Sequence, residues 1–327
     1  MSVTELEESA EKGRKSWPEA PCNGKLSGTT SRAGLEAAAE RECYAKIGGW
    51  VKRRTKRAYT IRHVCRLGTA PMRTLPDFLM IGAQKSGTSF LYRLLAQHPY
   101  IRPAFVKEVH YFDLNFRKGE NWYRSQFPLQ VRKNRTYITG EASPYYLFHP
   151  HAPRRAATLL PKAKLIVLLR NPVERAYSHY QHQVVRTKGE VHEPLTFEEA
   201  MEAEEKRLDG ELEKLLQNEH YESLNYRTYS YLARGIYIDQ ILAWSKFFDR
   251  SQMLVLRSED LFGDAEGTLK TILDFLEIPR WAPETPASIP NKREYADLSP
   301  AVRQRLDEYF EPHNRRLYEY LGKDLGW

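Results

Sequence analysis

The sequence lacks the features that define several classes of protein. None of its 327 residues belongs to an uninterrupted apolar run of ~18 residues, the length of a membrane-spanning helix. Glycine (18 residues) and proline (19 residues) are too few for a collagen-like or low-complexity chain. Because 41% of the residues are hydrophobic, the chain can bury a sizeable core, and its length predicts one large domain or two modest ones.

Cysteine is also scarce, with three residues in the whole chain: Cys22, Cys43 and Cys65. An odd number of cysteines confined to the N-terminal part excludes a disulfide framework and favours a reducing compartment. The first residues, Met1–Glu8, are acidic and lack the apolar core of a secretory signal. We therefore expect a cytoplasmic protein.

The positive charge of the chain is concentrated near its N-terminus. The net charge is +8, and residues 1–75 contain 15 Lys and Arg against 8 Asp and Glu. Charge runs of this kind usually form solvated surfaces, and the alternative is that the basic segment 52–66 contacts an anionic polymer or lipid surface. We predict no specific nucleic-acid binding, and we expect residues 1–74 to form a poorly ordered or helical extension.

From residue 75 the chain alternates between short apolar runs and amphipathic segments. Strands are predicted at 77–81, 137–139, 164–169 and 253–256, and helices at 88–96, 172–183 and 265–276. This alternation predicts an α/β fold over residues 75–327, a three-layer domain with a central, mostly parallel sheet flanked by helices. Residues 185–235 are expected to form a helical insertion, in which the charged segment Glu198–Glu213 faces solvent.

A loop rich in hydroxyl residues separates the first predicted strand from the first helix. Its sequence is Gly82-Ala-Gln-Lys-Ser-Gly-Thr-Ser89. Between a strand and a helix, such a loop binds phosphate through backbone N–H groups and the helix N-terminus. The Walker pattern G-x-x-x-x-G-K-[ST] is nearly met, but Thr88 stands where the lysine belongs and Lys85 supplies the charge instead.

A second basic motif follows the buried strand at 164–169. A nucleoside triphosphatase carries an aspartate there to hold Mg²⁺, whereas this chain carries Arg170, within the segment Leu169-Arg-Asn-Pro-Val-Glu-Arg-Ala-Tyr-Ser178. Arginine cannot bind a metal but binds phosphate in a bidentate manner. Arg170 and Ser178 can therefore hold one phosphate, so the sequence predicts a site for two anionic groups without a metal.

These motifs resemble those of sulfotransferases that use 3′-phosphoadenosine 5′-phosphosulfate (PAPS). The loop 82–89 resembles the family's 5′-phosphosulfate loop, and the segment 169–178 resembles its 3′-phosphate motif. Lys107-Glu-Val-His-Tyr-Phe-Asp113 and the C-terminal segment 312–327 resemble heparan-sulfate-type and bacterial members. The resemblance implies a P-loop-like fold, PAPS as the co-substrate and no metal. Two alternatives are a P-loop nucleotide kinase and a non-catalytic polyanion-binding protein.

The resemblance assigns donor-site roles to particular residues. The 5′-phosphosulfate would contact Lys85, Ser86, Gly87, Thr88 and Ser89, and the 3′-phosphate would contact Arg170 and Ser178. Tyr237 either contacts the nucleotide or serves as a core aromatic residue, and Lys292 and Arg293 lie where the family has a basic loop that closes over the nucleotide.

The resemblance also suggests a general base. In the glycan-specific branch of the family this base is the glutamate of the Lys-Glu-x-His segment, here Glu108. His110 is the alternative, because residues two apart project to the same side of an extended segment. Asp113 is expected to orient His110, and Lys85 is expected to stabilise negative charge on the departing nucleotide.

The identity of the acceptor is less well defined. Animal glycan enzymes of the family have a lysine in the segment that corresponds to Glu141–Tyr145, and Ala142 replaces it here, which argues against a heparan-like acceptor. A saccharide hydroxyl is the first expectation and a lipid or polyketide-type hydroxyl the second, while an amine stays open. Residues 114–135 and the insertion at 185–235 are expected to shape the acceptor cleft.

Overall fold

A computed structural model describes residues 63–130, 137–184, 193–283 and 296–327. The strands within these ranges are β1 (Phe78–Gly82), β2 (Ile101–Pro103), β3 (Ile138–Ala142), β4 (Lys164–Leu169) and β5 (Met253–Arg257). The first helices are α1 (Thr88–Leu95), α2 (Gly119–Arg124), α3 (Ala152–Leu159) and α4 (Pro172–Val184). The later helices are α5 (Phe197–Glu202), α6 (Glu204–Leu208), α7 (Glu211–Gln217), α8 (Leu224–Thr228), α9 (Tyr237–Ser245), α10 (Ser258–Gly263), α11 (Ala265–Leu276) and α12 (Pro300–Leu321).

The strands form one parallel sheet in the order β2-β3-β1-β4-β5. Both faces of the sheet are covered by helices, so the central strands β1 and β4 are apolar on both sides. Alternate residues of β1 enter different cores: Leu79 and Ile81 pack on one face, and Phe78 and Met80 on the other. This confirms the predicted three-layer α/β fold with a parallel central sheet.

Most predicted elements agree with the structure, but several observed elements were not predicted, among them β2, α2, α3, α9, α10 and α12. β4 and α11 have the predicted bounds. The short strand β2 was missed because two of its three residues are exposed, which leaves no apolar run in the sequence. The long helix α12 was missed because Pro312 lies inside it, and an internal proline normally argues against a helix.

The prediction that Glu198–Glu213 faces solvent is wrong in part. The segment does form helices, α5 to α7, but Glu204 is 4% exposed and Glu211 is 7% exposed. Glu204 accepts hydrogen bonds from the backbone N–H groups of Leu232 (2.7 Å) and Ala233 (2.8 Å). A charged side chain can be buried when such donors satisfy it, and the amino-acid pattern does not reveal these distant partners.

The topology places the functional loops on one edge of the sheet. In a parallel sheet all strands end at the same edge, and here the chain continues from β1 to one side and later crosses to β4 on the other. Ligands bind in the crevice at such a switch point. The loops after β1, β2, β3 and β4 carry the residues that the sequence singled out.

Tight packing between β1 and β3 yields a first prediction. Gly140 pairs in register with Phe78, and a Cβ at Gly140 would lie 2.5 Å from the Phe78 ring. Overpacking of this kind costs about 1–3 kcal/mol, so Gly140→Ala should lower the free energy of unfolding by that amount in urea. Gly263→Ala is the matched control, because a Cβ there meets nothing within 4 Å. Equal stabilities of the two variants would contradict the prediction.

Candidate active site

The loop after β1 has the geometry of a phosphate-binding loop. Lys85 and Gly87 have positive φ angles of 73° and 95°, and α1 begins at Thr88. The first N–H groups of a helix have no acceptor within the helix, so they face the loop opening. Ser86 is fully buried, and its hydroxyl has no hydrogen-bond partner among the described residues. A buried orphan hydroxyl beside free helix N–H groups is what an anionic ligand would satisfy.

Gly87 is constrained by packing as well as by its backbone angle. A Cβ at this position would lie 2.8 Å from the ring of Phe262 in α10. The adjacent Ser86 carbonyl accepts a hydrogen bond from the Ser258 hydroxyl at 2.8 Å. Ser258 and Phe262 of α10 therefore hold the far side of the loop, a contact that no pattern in the sequence predicts.

The second basic motif lies directly beside this loop. Arg170 follows β4, the neighbour of β1, and its Nη1 donates to the Lys85 carbonyl at 3.3 Å. Its Nη2 lies 3.5 Å from Glu174 Oε2. Ser178 lies two turns along α4 and is 8% exposed. The structure thus brings the two predicted anion-binding motifs together.

The remaining predicted nucleotide residues differ in their placement. Tyr237 is 1% exposed, and its hydroxyl donates to the Arg170 carbonyl at 2.8 Å. This position fits the core-aromatic alternative, in which Tyr237 holds the turn that carries Arg170. Lys292 and Arg293 lie outside the described residues.

The Lys107–Asp113 segment forms a chain of charged contacts. His110 Nδ1 lies 2.7 Å from Asp113 Oδ2, and His110 Nε2 lies 3.6 Å from Glu108 Oε2. Lys107 forms an ion pair with the other oxygen of Glu108. The segment is not extended as expected, because Glu108 and His110 have φ angles of 59° and 53°. The two side chains nevertheless face each other, and Asp113 makes the expected contact with His110.

These contacts shift the pKa values of Glu108 and His110 in opposite directions. Hydrogen bonding from His110, together with Lys107, outweighs burial and lowers the pKa of Glu108 to about 2. Burial alone would lower the pKa of His110, but hydrogen bonds to Asp113 and Glu108 outweigh it and raise the pKa to about 10. At neutral pH the site therefore holds an ionised Glu108 carboxylate beside an imidazolium.

A buried carboxylate beneath this segment holds its backbone in place. Glu141 in β3 is fully buried and accepts hydrogen bonds from Tyr123 (2.8 Å), Tyr146 (2.9 Å) and Ser143 (2.7 Å). The Ser143 hydroxyl also accepts from the backbone N–H of His110 at 3.0 Å, and the Tyr146 hydroxyl accepts from the next N–H at 2.6 Å. Glu141 thus acts through the backbone and does not face a ligand.

Two arginines that the sequence did not single out lie beneath the phosphate loop. Arg175 belongs to the motif 169–178 but points into the interior, where it is fully buried. Arg234 donates to the side chain of Gln84 in the loop, and its guanidinium lies 4.7 Å from the ring centre of Tyr145. Arg175 lies in the motif 169–178, and Arg234 lies in the predicted insertion 185–235. The sequence does not show in which direction either side chain points, so neither residue was identified.

The fold and the two adjacent basic motifs are typical of α/β domains that bind anionic nucleotides. A family model described as "Sulfotransferase domain" matches residues 75–313. A solved sulfotransferase from Alicyclobacillus acidocaldarius is 32% identical, covers 77% of this chain and 98% of that chain, and superposes with a TM-score of 0.62. The chain belongs to the sulfotransferase domain family. The nucleotide-kinase alternative is therefore wrong.

The curated relatives are larger proteins. Membrane-associated sulfotransferase kil1 of Dictyostelium discoideum is 27% identical over 77% of this chain and 66% of its own length. Human heparan sulfate glucosamine 3-O-sulfotransferase 6 is 29% identical over 78% of this chain and 74% of its own length. The bifunctional heparan sulfate N-deacetylase/N-sulfotransferase 1 of Caenorhabditis elegans is 29% identical over 77% of this chain and 30% of its own length. The chain thus spans from about a third to three quarters of these relatives.

The expectation of a cytoplasmic protein is wrong. It is contradicted by the relatives, of which the Dictyostelium discoideum protein is membrane-associated. The expectation rested on the few cysteines and the acidic N-terminus. Neither property determines whether a sulfotransferase domain is associated with a membrane. In the described ranges, every helix is too short or too polar to cross a membrane.

The raised pKa of His110 predicts how stability depends on pH. The pKa in the folded protein, about 10, exceeds the ordinary 6.5. The stabilisation is therefore fully present below pH 6.5 and is lost as the pH rises through 10. We expect the free energy of unfolding to fall more between pH 6.5 and 10 in the wild type than in His110→Gln, measured by urea denaturation. Parallel pH profiles of the two proteins would show that folding does not raise the pKa of His110.

Proposed function

We propose that this protein transfers the sulfuryl group of PAPS to an acceptor hydroxyl. The observation that supports this most is the hydrogen bond from Arg170 to the Lys85 carbonyl, which joins two cationic motifs at the sheet edge where the loop of Glu108 and His110 also begins. PAPS supplies an activated sulfuryl group and carries two anionic groups, which matches the two motifs. The absence of a metal requirement remains a prediction.

The donor would be held by the residues of the two motifs. The N-terminus of α1 and the Ser86 hydroxyl would bind the 5′-phosphosulfate, together with Lys85, Gly87, Thr88 and Ser89. Arg170 and Ser178 would bind the 3′-phosphate. Lys85 would stabilise the charge that develops on the phosphate oxygen as the bond from that oxygen to sulfur breaks.

Glu108 is the proposed general base. A bond forms between the acceptor oxygen and sulfur, the bond from sulfur to the nucleotide phosphate breaks, and the acceptor proton moves to Glu108, which leaves 3′,5′-adenosine bisphosphate as the second product. Because the pKa of Glu108 is about 2, it accepts this proton only as the new oxygen–sulfur bond makes the hydroxyl acidic. The raised pKa of His110 favours its protonated form, which supports Glu108 rather than His110 as the base. His110 would then orient Glu108, and Asp113 would orient His110.

A saccharide is the proposed acceptor. Two of the relatives act, by their names, on heparan sulfate. A cavity of about 100 Å³ lies between Tyr145, His149, Leu114 and residues of the helical insertion, which include Leu224 and Arg227. Leu114 is adjacent to Asp113, and Tyr145 packs on Arg234, which binds the phosphate loop. The cavity is therefore lined by neighbours of residues in both halves of the site, which supports its assignment to the acceptor.

Nucleotide binding tests the donor assignment. A site that forms charge-assisted hydrogen bonds to the 3′-phosphate rejects ligands without it, because its donors are left unpaired. Calorimetry should show that 3′,5′-adenosine bisphosphate binds at least tens of times more tightly than 5′-AMP. Arg170→Ala should remove most of this preference and change 5′-AMP binding little. Equal affinities in the wild type would overturn the proposed function.

The base assignment predicts a separation between binding and turnover. Glu108→Gln should lower the rate of transfer from ³⁵S-labelled PAPS by about 10²–10⁴-fold, because an amide cannot accept the proton. Its affinity for 3′,5′-adenosine bisphosphate should stay near that of the wild type. Candidate acceptors would be supplied as polysaccharide, lipid and small-molecule fractions of a host extract. A variant that retains more than a third of the activity would exclude Glu108 as the base.

A non-catalytic polyanion-binding protein would behave differently. It would transfer no label to any fraction, and its binding to heparin would survive removal of every residue after 75. Detection of labelled product in the polysaccharide fraction would exclude this alternative and support a saccharide acceptor.

A further inference from the structure

The guanidinium of Arg234 joins the phosphate loop to the helical insertion. The side chain is buried, and its Nη1 donates a hydrogen bond to the side-chain oxygen of Gln84, the loop residue before Lys85. Its Nη2 donates to the carbonyl oxygens of Arg227 (2.6 Å) and Tyr226 (3.3 Å) in α8. One rigid group therefore contacts two segments that are distant in the sequence.

The backbone that carries Arg234 is held on both sides. Glu204 in α6 accepts hydrogen bonds from the N–H groups of Leu232 and Ala233, which precede it. The Arg234 carbonyl accepts a hydrogen bond from the side chain of Gln240 in α9 at 3.0 Å. The reach of the guanidinium is therefore set by the fold around it.

Arg234 also contacts residues that line the cavity proposed for the acceptor. Its guanidinium lies 4.7 Å from the ring centre of Tyr145 and 5.0 Å from that of Phe148. Phe148 in turn stacks on Tyr226, with 4.4 Å between the ring centres. Tyr145 and Arg227 both line the cavity, so two residues of its wall contact Arg234 directly.

The helix α8 depends on such contacts for its order. It has five residues, and a helix of that length is not stable by itself in water. Arginine presents several N–H donors in one fixed plane, so Arg234 can bind Gln84 and α8 at the same time, whereas lysine has no such planar fork. A change at one end of the guanidinium therefore affects the contact at the other end.

We propose that Arg234 is a positioning residue that couples donor binding to the acceptor cavity. A nucleotide that orders the phosphate loop would fix Gln84, and through Arg234 it would stabilise α8 and the cavity wall. Because coupling between binding sites is reciprocal, an acceptor would also bind more tightly to the nucleotide-bound protein. The coupling rests on the proposed function, since it requires a nucleotide in the phosphate loop.

Hydrogen exchange of the wild-type chain tests the coupling without an acceptor. Saturating 3′,5′-adenosine bisphosphate should slow amide exchange in α8 by about 3–10-fold. The reference segment is α2, which is also short and whose Tyr123 binds Glu141; its exchange should change less. If the nucleotide binds and α8 responds no more than α2, the proposal is overturned. If the nucleotide does not bind at all, the proposed function is wrong and the coupling with it.

An arginine-to-lysine exchange separates geometry from charge. Arg234→Lys keeps the positive charge but loses the fork, so the nucleotide should no longer slow exchange in α8, and its affinity should fall roughly tenfold. Arg73→Lys is the matched control, because Arg73 is also a buried arginine that binds a carbonyl, that of Phe127 at 2.8 Å. It should keep the wild-type response. A full response in Arg234→Lys would show that charge alone suffices and would overturn the proposal.

A change at the loop end of the contact covers the case in which Arg234→Lys does not fold. Gln84→Met has a side chain of similar length that is a poor acceptor, so the nucleotide should bind more weakly and leave exchange in α8 unchanged. Where both single variants fold, the double variant should bind the nucleotide no more weakly than the weaker single variant, because both changes break the same contact. Additive losses, or a wild-type response in Gln84→Met, would contradict the proposal.

Discussion

The arrangement of the site depends on the burial of one carboxylate. Glu141 lies in a central strand with no access to solvent, and three hydroxyl groups satisfy it. Two of those hydroxyls also bind consecutive backbone N–H groups at His110 and Tyr111. Burial raises the pKa of Glu141, and the hydroxyl donors oppose that shift. Removing any one donor would leave a buried carboxylate or a backbone N–H unsatisfied, so this network constrains the loop that carries Glu108.

The order of the strands explains how distant segments form one site. β1 lies between β3 and β4, so the phosphate loop is adjacent both to the Glu141 network and to Arg170. Ser143 connects the two halves, since its N–H donates to the Met80 carbonyl in β1 and its hydroxyl accepts from His110. The backbone of the sheet, and not the flexible side chains, therefore sets the distance between the donor half and the base.

Sequence patterns predicted those elements whose conformation depends on neighbouring residues in the chain. The apolar strand β4, the turn from Gly82 to Ser89 and the helix after Pro172 are determined by neighbours in the chain, and they were predicted from sequence. The contacts of Arg234 were not predicted, because they depend on how the helical insertion folds back onto the phosphate loop. The positive φ angles of Glu108 and His110 were missed for the same reason, since the distant Glu141 network holds that backbone.

The cationic groups around the phosphate loop oppose the stability of the fold. Lys85 and Arg170 belong to adjacent loops, and Arg175 and Arg234 lie nearby in the interior, so like charges are concentrated at the end of β1. Such a cluster costs free energy in the absence of an anion, and each anion that binds offsets part of this cost. A donor with two anionic groups would then bind more tightly than its contacts alone imply, because binding also relieves the repulsion.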